Sequence, residues 1–158
     1  MTTIEISQQK KSPITIMIFV EGTILEPKSI FSIYNHKSYQ PIGKAVQIIN
    51  GWWKQGANIL YCTSRRGKGA REMAELLQRF GFQGSALHAR EKGEKYKNIV
   101  EDVRPNILIE DDCKSIGGAW QMCITHISEE IKDQIKSVVV REFKGIDHLP
   151  QDLNELTL

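Results

Sequence analysis

The amino-acid sequence predicts an α/β fold of the Rossmann-like kind, with a doubly wound, mainly parallel sheet and helices on both faces. Short apolar runs rich in β-branched residues recur at residues 14–20, 58–62 and 106–109, and each is followed by polar residues instead of a hairpin turn. The segments between these runs repeat apolar residues at the three- and four-residue spacing of helices. This alternation of strand and helix implies right-handed crossovers between parallel strands.

Each element has its own support in the sequence. The first strand has the sequence ITIMIFV, the third follows Pro105, and SVVV at residues 137–140 predicts a further strand. Helices are predicted over three segments: residues 43–55, 70–80 and 95–103. Gly81 ends the second helix and Pro105 ends the third, because neither residue continues a helix readily.

The domain organisation is expected to be simple. Residues 1–13 are polar and basic up to Pro13, which predicts a flexible N-terminal tail followed by a single domain over residues 14–158. A length of 158 residues, with 41% hydrophobic and 25% charged residues, is typical of one globular domain. The turn-rich segment GIDHLPQDLNEL at residues 145–156 predicts no particular element.

The composition limits the classes of partner. The net charge of +2 comes from 21 basic and 19 acidic residues spread along the chain, so no basic stripe supports a nucleic-acid partner. No apolar run reaches the roughly 18 residues that a membrane span needs, and the N-terminus has no signal-peptide layout. Three cysteines without a C-x-x-C pair predict neither a disulfide framework nor a zinc site. These features together predict a cytoplasmic protein.

The residues directly after the strands are the candidates for chemistry, because ligands of such sheets bind beyond the carboxyl ends of the strands. The first strand is followed by an acid and a turn, the second by hydroxyls and cations, and the third by three consecutive acids. In sequence order these sets are Glu21, Gly22 and Thr23; Thr63, Ser64, Arg65 and Arg66; and Glu110, Asp111 and Asp112. Lys95 opens the helix before the third strand and can reach the same point.

This order of motifs resembles the haloacid dehalogenase (HAD) superfamily of phosphohydrolases. The family's first motif, an apolar strand followed by Asp-x-Asp-Gly-Thr, is matched in place by FVEGT. The second matches ANILYCTSR at Thr63, the third falls at Lys95 or Lys97, and the fourth matches NILIEDD. The resemblance covers roughly residues 14–112 and is to a member without a large cap domain, with a short flap at residues 25–40. Such a cleft is open to a bulky substrate or a macromolecular partner.

The resemblance implies a role for each site residue. In the family, the first Asp attacks phosphorus and the second exchanges a proton with the leaving oxygen. Thr63, Ser64 and Lys95 would hold phosphate oxygens of a small phosphorylated ligand. The acids Glu110, Asp111 and Asp112 would hold Mg²⁺, a hard ion that takes oxygen ligands.

The first motif departs from the family's pattern at both acids. Phe19 stands at the nucleophile position and Glu21 at the acid/base position. A phenyl ring has no lone pair for attack on phosphorus, removes one of the metal's carboxylates and occupies the space where phosphate would dock. Loss of the nucleophile in a comparable covalent mechanism costs about 10⁶ in turnover. Glu21 keeps the carboxyl group but is one methylene longer.

Three functional hypotheses follow. The first is a HAD-like binding or regulatory module without phosphoaspartate catalysis, a pseudoenzyme. The second is an active Mg²⁺-dependent phosphoric monoester hydrolase for a small phosphometabolite or a nucleotide, working through Glu21 and the acidic triplet or through a shifted register. The third is a domain whose surface pairs with itself or another protein.

Purely structural roles stay open beside these hypotheses. Phe19 could be a core residue, Thr63 and Ser64 could cap the next helix, and Lys95 could be a surface residue.

Overall fold

The protein is described by a computed structural model that covers residues 1–8, 14–32, 35 and 38–158. It has a mixed α/β structure built on a six-stranded sheet with the strand order β1-β6-β5-β2-β7-β8. The strands of this sheet are β1 (Thr2–Glu5), β2 (Thr15–Phe19), β5 (Asn58–Thr63), β6 (Ala86–Ala89), β7 (Ile107–Asp111) and β8 (Lys136–Val140). Within this sheet β1 pairs antiparallel with β6, and the other four pairings are parallel. The mainly parallel sheet predicted from the sequence is therefore confirmed.

Three longer helices connect the strands: α1 (Ala45–Lys54), α2 (Gly67–Arg79) and α3 (Tyr96–Val103). They lie within a few residues of the predicted segments, and α3 ends before Pro105 as expected. Two short helices, α4 (Glu129–Lys132) and α5 (Leu153–Thr157), follow later in the chain. Among the described residues, no helix is both long enough and apolar enough to cross a membrane.

The core lies on both faces of the sheet. Successive side chains of a strand point to opposite faces, and in β2 the residues Ile16 and Ile18 belong to one buried cluster while Met17 belongs to another. The first cluster includes the buried residues of α1 and, apart from Ala70, those of α2, and the second includes those of α3. Both faces of the sheet are thus covered.

The structure differs from the sequence prediction near the N-terminus. Thr2–Glu5 form an edge strand, which corrects the expectation of a flexible tail over residues 1–13 for this part of the chain. The strand is held by side chains as well as by pairing, since Thr3 Oγ1 lies 3.1 Å from His88 Nδ1 and Ser7 Oγ donates to the Gly84 carbonyl at 2.7 Å. Residues 9–13 of the expected tail lie outside the described residues.

The segment expected to be a flap contains a small second sheet, in which β3 (Leu25–Pro27) pairs antiparallel with β4 (Tyr39–Pro41). A 3-10 turn, Ile30–Ser32, follows β3. Further along, the segment without a predicted element packs against α1: Trp52 Nε1 donates to the Pro150 carbonyl at 2.9 Å, and the Leu153 N–H donates to Gln55 at 2.8 Å. Its last helix, α5, buries Leu153 and Leu156 in the core.

Candidate functional site

A cleft of about 930 Å³ opens at the carboxyl ends of the parallel strands. Most of the residues selected from the sequence line it: Phe19, Glu21, Ser64, Lys95, Glu110 and Asp111. Thr63 and Asp112 are not among the lining residues. The central strand β2 lies between β5 and β7 in the sheet, so the residues that follow these three strands meet at one edge.

Phe19 ends β2 and lies in the same cleft as the acids. Its half-buried ring meets the Tyr96 ring edge to face, with the centroids 5.2 Å apart. The Arg90 guanidinium lies over Tyr96, 4.0 Å from the ring centroid. Phe19 also packs against the second core cluster. It is therefore both a packing residue and part of the cleft wall, and its ring supplies no oxygen to the site.

The Glu21 carboxylate is held by the residues that follow β5. It accepts a hydrogen bond from Thr63 Oγ1 at 2.6 Å and one from the Ser64 N–H at 3.2 Å. Arg65 Nε lies 3.6 Å from the same carboxylate. These contacts provide the Glu21 carboxylate with hydrogen bonds and partly neutralise its charge. They also hold the turn after β2 against the end of β5.

Thr63 faces Glu21 and not the open cleft. Its side chain is fully buried, and Oγ1 also accepts the Arg65 N–H at 3.1 Å. Ser64 is exposed and lines the cleft. Neither residue caps the following helix, because Arg66 occupies the N-cap position of α2 and no side chain bonds to the first turn. Of the two hydroxyls selected from the sequence, Ser64 is the one open to a ligand.

Glu110 anchors an irregular segment of the chain. The residue is 3% exposed, and its carboxylate accepts the N–H of Cys123 at 2.6 Å and the N–H of Ile124 at 2.9 Å. Burial raises the pKa of Glu110 to about 6, although the two N–H groups oppose this shift. The carboxylate thus binds the segment between β7 and β8 to the sheet.

Asp111 lies beneath the turn that follows β2. A Cβ atom built on Gly22 would come within 2.6 Å of Asp111 Oδ2, and Gly22 has a φ of +82°. Glycine is therefore required both by the backbone conformation and by the space that the carboxylate takes. Burial, followed by the charge of Glu142, raises the pKa of Asp111 to about 6.

Asp112 bonds to neighbouring backbone. Its Oδ1 accepts the N–H of Glu142 at 3.2 Å and the N–H of Lys114 at 3.4 Å. Glu142 in turn accepts the N–H and the hydroxyl of Ser115, at 2.7 and 2.6 Å. Both acids are thereby engaged in shaping the loops at the rim.

The consecutive acids do not converge on one point. Adjacent residues of a strand face opposite ways, and Glu110 bonds to the Cys123 and Ile124 amides while Asp111 lies under Gly22. Over the described part of the chain, no group of three His, Cys, Asp or Glu side chains is placed to hold a metal ion. Glu110, Asp111 and Asp112 therefore do not form one cluster of metal ligands.

The cleft also contains residues that the sequence did not suggest. Arg90 follows β6, and its Nε is buried with no hydrogen-bond partner in the described part of the structure. Trp120 lines the cleft yet is 71% exposed, and Ile116, which also lines it, is 65% exposed. The segment ALHAR contains β6 and the residue after it, so recognising ALHA as a strand would have made Arg90 a candidate.

Charge is distributed unevenly in the cleft. Arg90, Lys95 and Lys97 come from the end of β6 and the start of α3, whereas Glu110, Asp111 and Glu142 come from the ends of β7 and β8. Lys95 is the N-cap residue of α3 and is exposed. One wall is therefore basic and the other acidic.

Comparison with known proteins gives similarity in fold alone. No protein-family model matches the chain, and no curated protein matches it. The chain is similar to one in the solved structure of the Pnkp1/Rnl/Hen1 RNA repair complex, with a TM-score of 0.59 at 12% sequence identity. The match covers 88% of this chain and 46% of that chain, so this chain spans less than half of the other's length.

Proposed function

We propose that the protein is a HAD-like binding module, doubly wound and without a large cap, that holds a small phosphorylated ligand and lacks phosphoaspartate catalysis. The proposal includes the cytoplasmic location expected from the sequence. The main support for the proposal is the position of Phe19. This residue is the last of β2, and it lines the cleft together with Glu21 and Asp111.

The basic wall supplies the attraction for a phosphate. Arg90 has an unsatisfied Nε beside the cleft, while its guanidinium is positioned by stacking on Tyr96. Planar guanidinium groups bind phosphate oxygens through charge-assisted hydrogen bonds. Lys95, Lys97 and the exposed Ser64 line the same cleft and add donors. Arg65 contributes less, because it pairs with Glu21 and donates to Tyr39 Oη at 3.0 Å.

The hydrolase hypothesis has less support. A Mg²⁺-dependent route needs carboxylates free to coordinate the metal, and here Glu110 bonds to two backbone amides while Asp112 bonds to the rim. A water-activating role for Glu21 requires a free carboxylate oxygen, yet Thr63, Ser64 and Arg65 surround that group.

Two measurements on the full chain test the proposal. Calorimetric titration with ribose 5-phosphate is expected to show saturable binding, and a phosphatase assay with p-nitrophenyl phosphate and Mg²⁺ is expected to show no turnover above the blank. The variant Arg90→Gln is expected to weaken binding by about tenfold or more, the value of one charge-assisted hydrogen bond. Arg79→Gln is the matched control, since Arg79 also lies over a ring, that of Phe80, but is outside the cleft lining.

Any of three results would overturn the proposal. Turnover of the phosphoester at enzyme-like rates would show that the cleft contains a catalytic group. Absence of binding, or equal loss in the Arg90 and Arg79 variants, would show that the basic wall is an ordinary solvated surface.

A further inference from the structure

The cleft carries apolar surface that a phosphate alone does not use. Trp120 and Ile116 are large side chains exposed by 71% and 65%, and Phe143, exposed by 40%, lies with them in the cleft lining. Exposed large apolar groups gathered in a concave site mark a ligand surface more often than scattered ones do.

Trp120 is held in place by its own segment. The indole meets the His126 ring edge to face, with the centroids 4.9 Å apart, and His126 Nε2 lies 2.6 Å from the Trp120 carbonyl oxygen. Glu110 fixes the next turn of the segment to the sheet through the Cys123 and Ile124 amides. A rigid, open aromatic ring loses little conformational freedom when a planar group stacks on it.

Phe143 is also positioned by backbone contacts. Its N–H donates to the Gly22 carbonyl at 2.8 Å, and its φ of +60° is in the left-handed region that bulky residues avoid. Such a conformation persists where the surrounding contacts maintain it. Phe143 is therefore fixed to the turn after β2.

The basic and the apolar residues of the cleft together indicate a class of ligand. A phosphate suits Arg90 and Lys95, a planar apolar group suits Trp120, and a cavity of about 930 Å³ accommodates both in one molecule. We propose that the ligand is a free nucleoside monophosphate, with its phosphate at the basic wall and its base stacked on Trp120. This inference rests on the proposed function. A mononucleotide is favoured over a nucleic-acid strand because the net charge of the chain, +2, gives little attraction for a polyanionic backbone.

The test compares two ligands that share the sugar phosphate. Calorimetric titrations of the full chain with AMP and with ribose 5-phosphate are expected to give an affinity about tenfold or more higher for AMP, as base stacking on an aromatic ring provides. Trp120→Ala is expected to remove this difference while leaving the affinity for ribose 5-phosphate unchanged. Phe31→Ala is the matched control, because Phe31 is 93% exposed and is not in the cleft lining.

The outcomes separate this inference from the proposed function. Equal affinities for AMP and ribose 5-phosphate would overturn the base-stacking role while leaving phosphate binding intact. Equal loss of both ligands in Trp120→Ala would also overturn it, since Trp120 would then only support the fold. A 5′-phosphorylated tetranucleotide that binds tenfold more tightly than AMP would overturn the assignment to a free nucleotide. Failure of both small ligands to bind the unmodified chain would overturn the proposed function itself.

Discussion

Replacing Gly22 with alanine tests how closely the turn after β2 and the Asp111 carboxylate are packed together. Gly22 has a φ of +82°, and an added Cβ would lie 2.6 Å from Asp111 Oδ2. Asp111 is only 6% exposed, so its carboxylate has little room to move. The substitution therefore combines backbone strain with displacement of a buried acid.

The two contributions can be estimated separately. An alanine in the left-handed region costs about 1 kcal/mol, and disturbing a buried carboxylate costs about 1–3 kcal/mol. Gly22→Ala is expected to lower the free energy of unfolding by about 2–4 kcal/mol. Gly93 isolates the backbone contribution, because its φ is +85° and a Cβ atom added there would have no atom within 4 Å. Gly93→Ala is expected to cost about 1 kcal/mol.

Urea unfolding of both variants measures the difference. A second experiment adds Asp111→Ala to Gly22→Ala, which should recover most of the excess cost because the contacting carboxylate is gone. If Gly22→Ala and Gly93→Ala are equally destabilising, within about 0.5 kcal/mol, the close approach of Gly22 to Asp111 is not a feature of the folded protein.

Two further predictions concern the acids of the cleft. The raised pKa of Asp111, about 6, means that its protonated form stabilises the fold, so this stabilisation is complete below about pH 4 and is lost as the pH rises through 6. The free energy of unfolding, measured from pH 4 to pH 8, should therefore fall by about 2–3 kcal/mol less in Asp111→Asn than in the unmodified chain. Parallel pH profiles of the two proteins would refute this prediction. Glu21→Gln is expected to lower the free energy of unfolding by about 1–2 kcal/mol, because charge-assisted bonds to Thr63, Ser64 and Arg65 become neutral, and unchanged urea unfolding would count against that network.

Much of the fold could be predicted because burial leaves a pattern in the sequence. The inner strands β2, β5 and β7 are continuous apolar runs, and α1 to α3 repeat apolar residues at helical spacing. In contrast, β6 has the sequence ALHA, whose alanines have low strand propensity, although all of its residues are buried. The sequence of β1 does not predict a strand either, because this polar strand lies at an edge and is largely exposed.

The site was harder to predict because the direction of a side chain depends on contacts distant in sequence. The acids after β7 could be found from their position, but not the engagement of Glu110 by amides 13 and 14 residues later. The proximity of Thr63 to Glu21 likewise follows from the parallel pairing of β2 with β5. Arg90 was missed together with β6, since only a recognised strand makes the residue after it a candidate.

We propose that a phenyl ring stands where the HAD family has its attacking oxygen, in a cleft that binds phosphate. Phosphorus-31 NMR of the full chain with AMP and Mg²⁺ tests both halves of this claim in one sample. We expect the AMP resonance to shift or broaden in a saturable way and no inorganic phosphate to accumulate. Steady release of inorganic phosphate, or an AMP resonance whose position and width do not change when the protein is added, would contradict the claim.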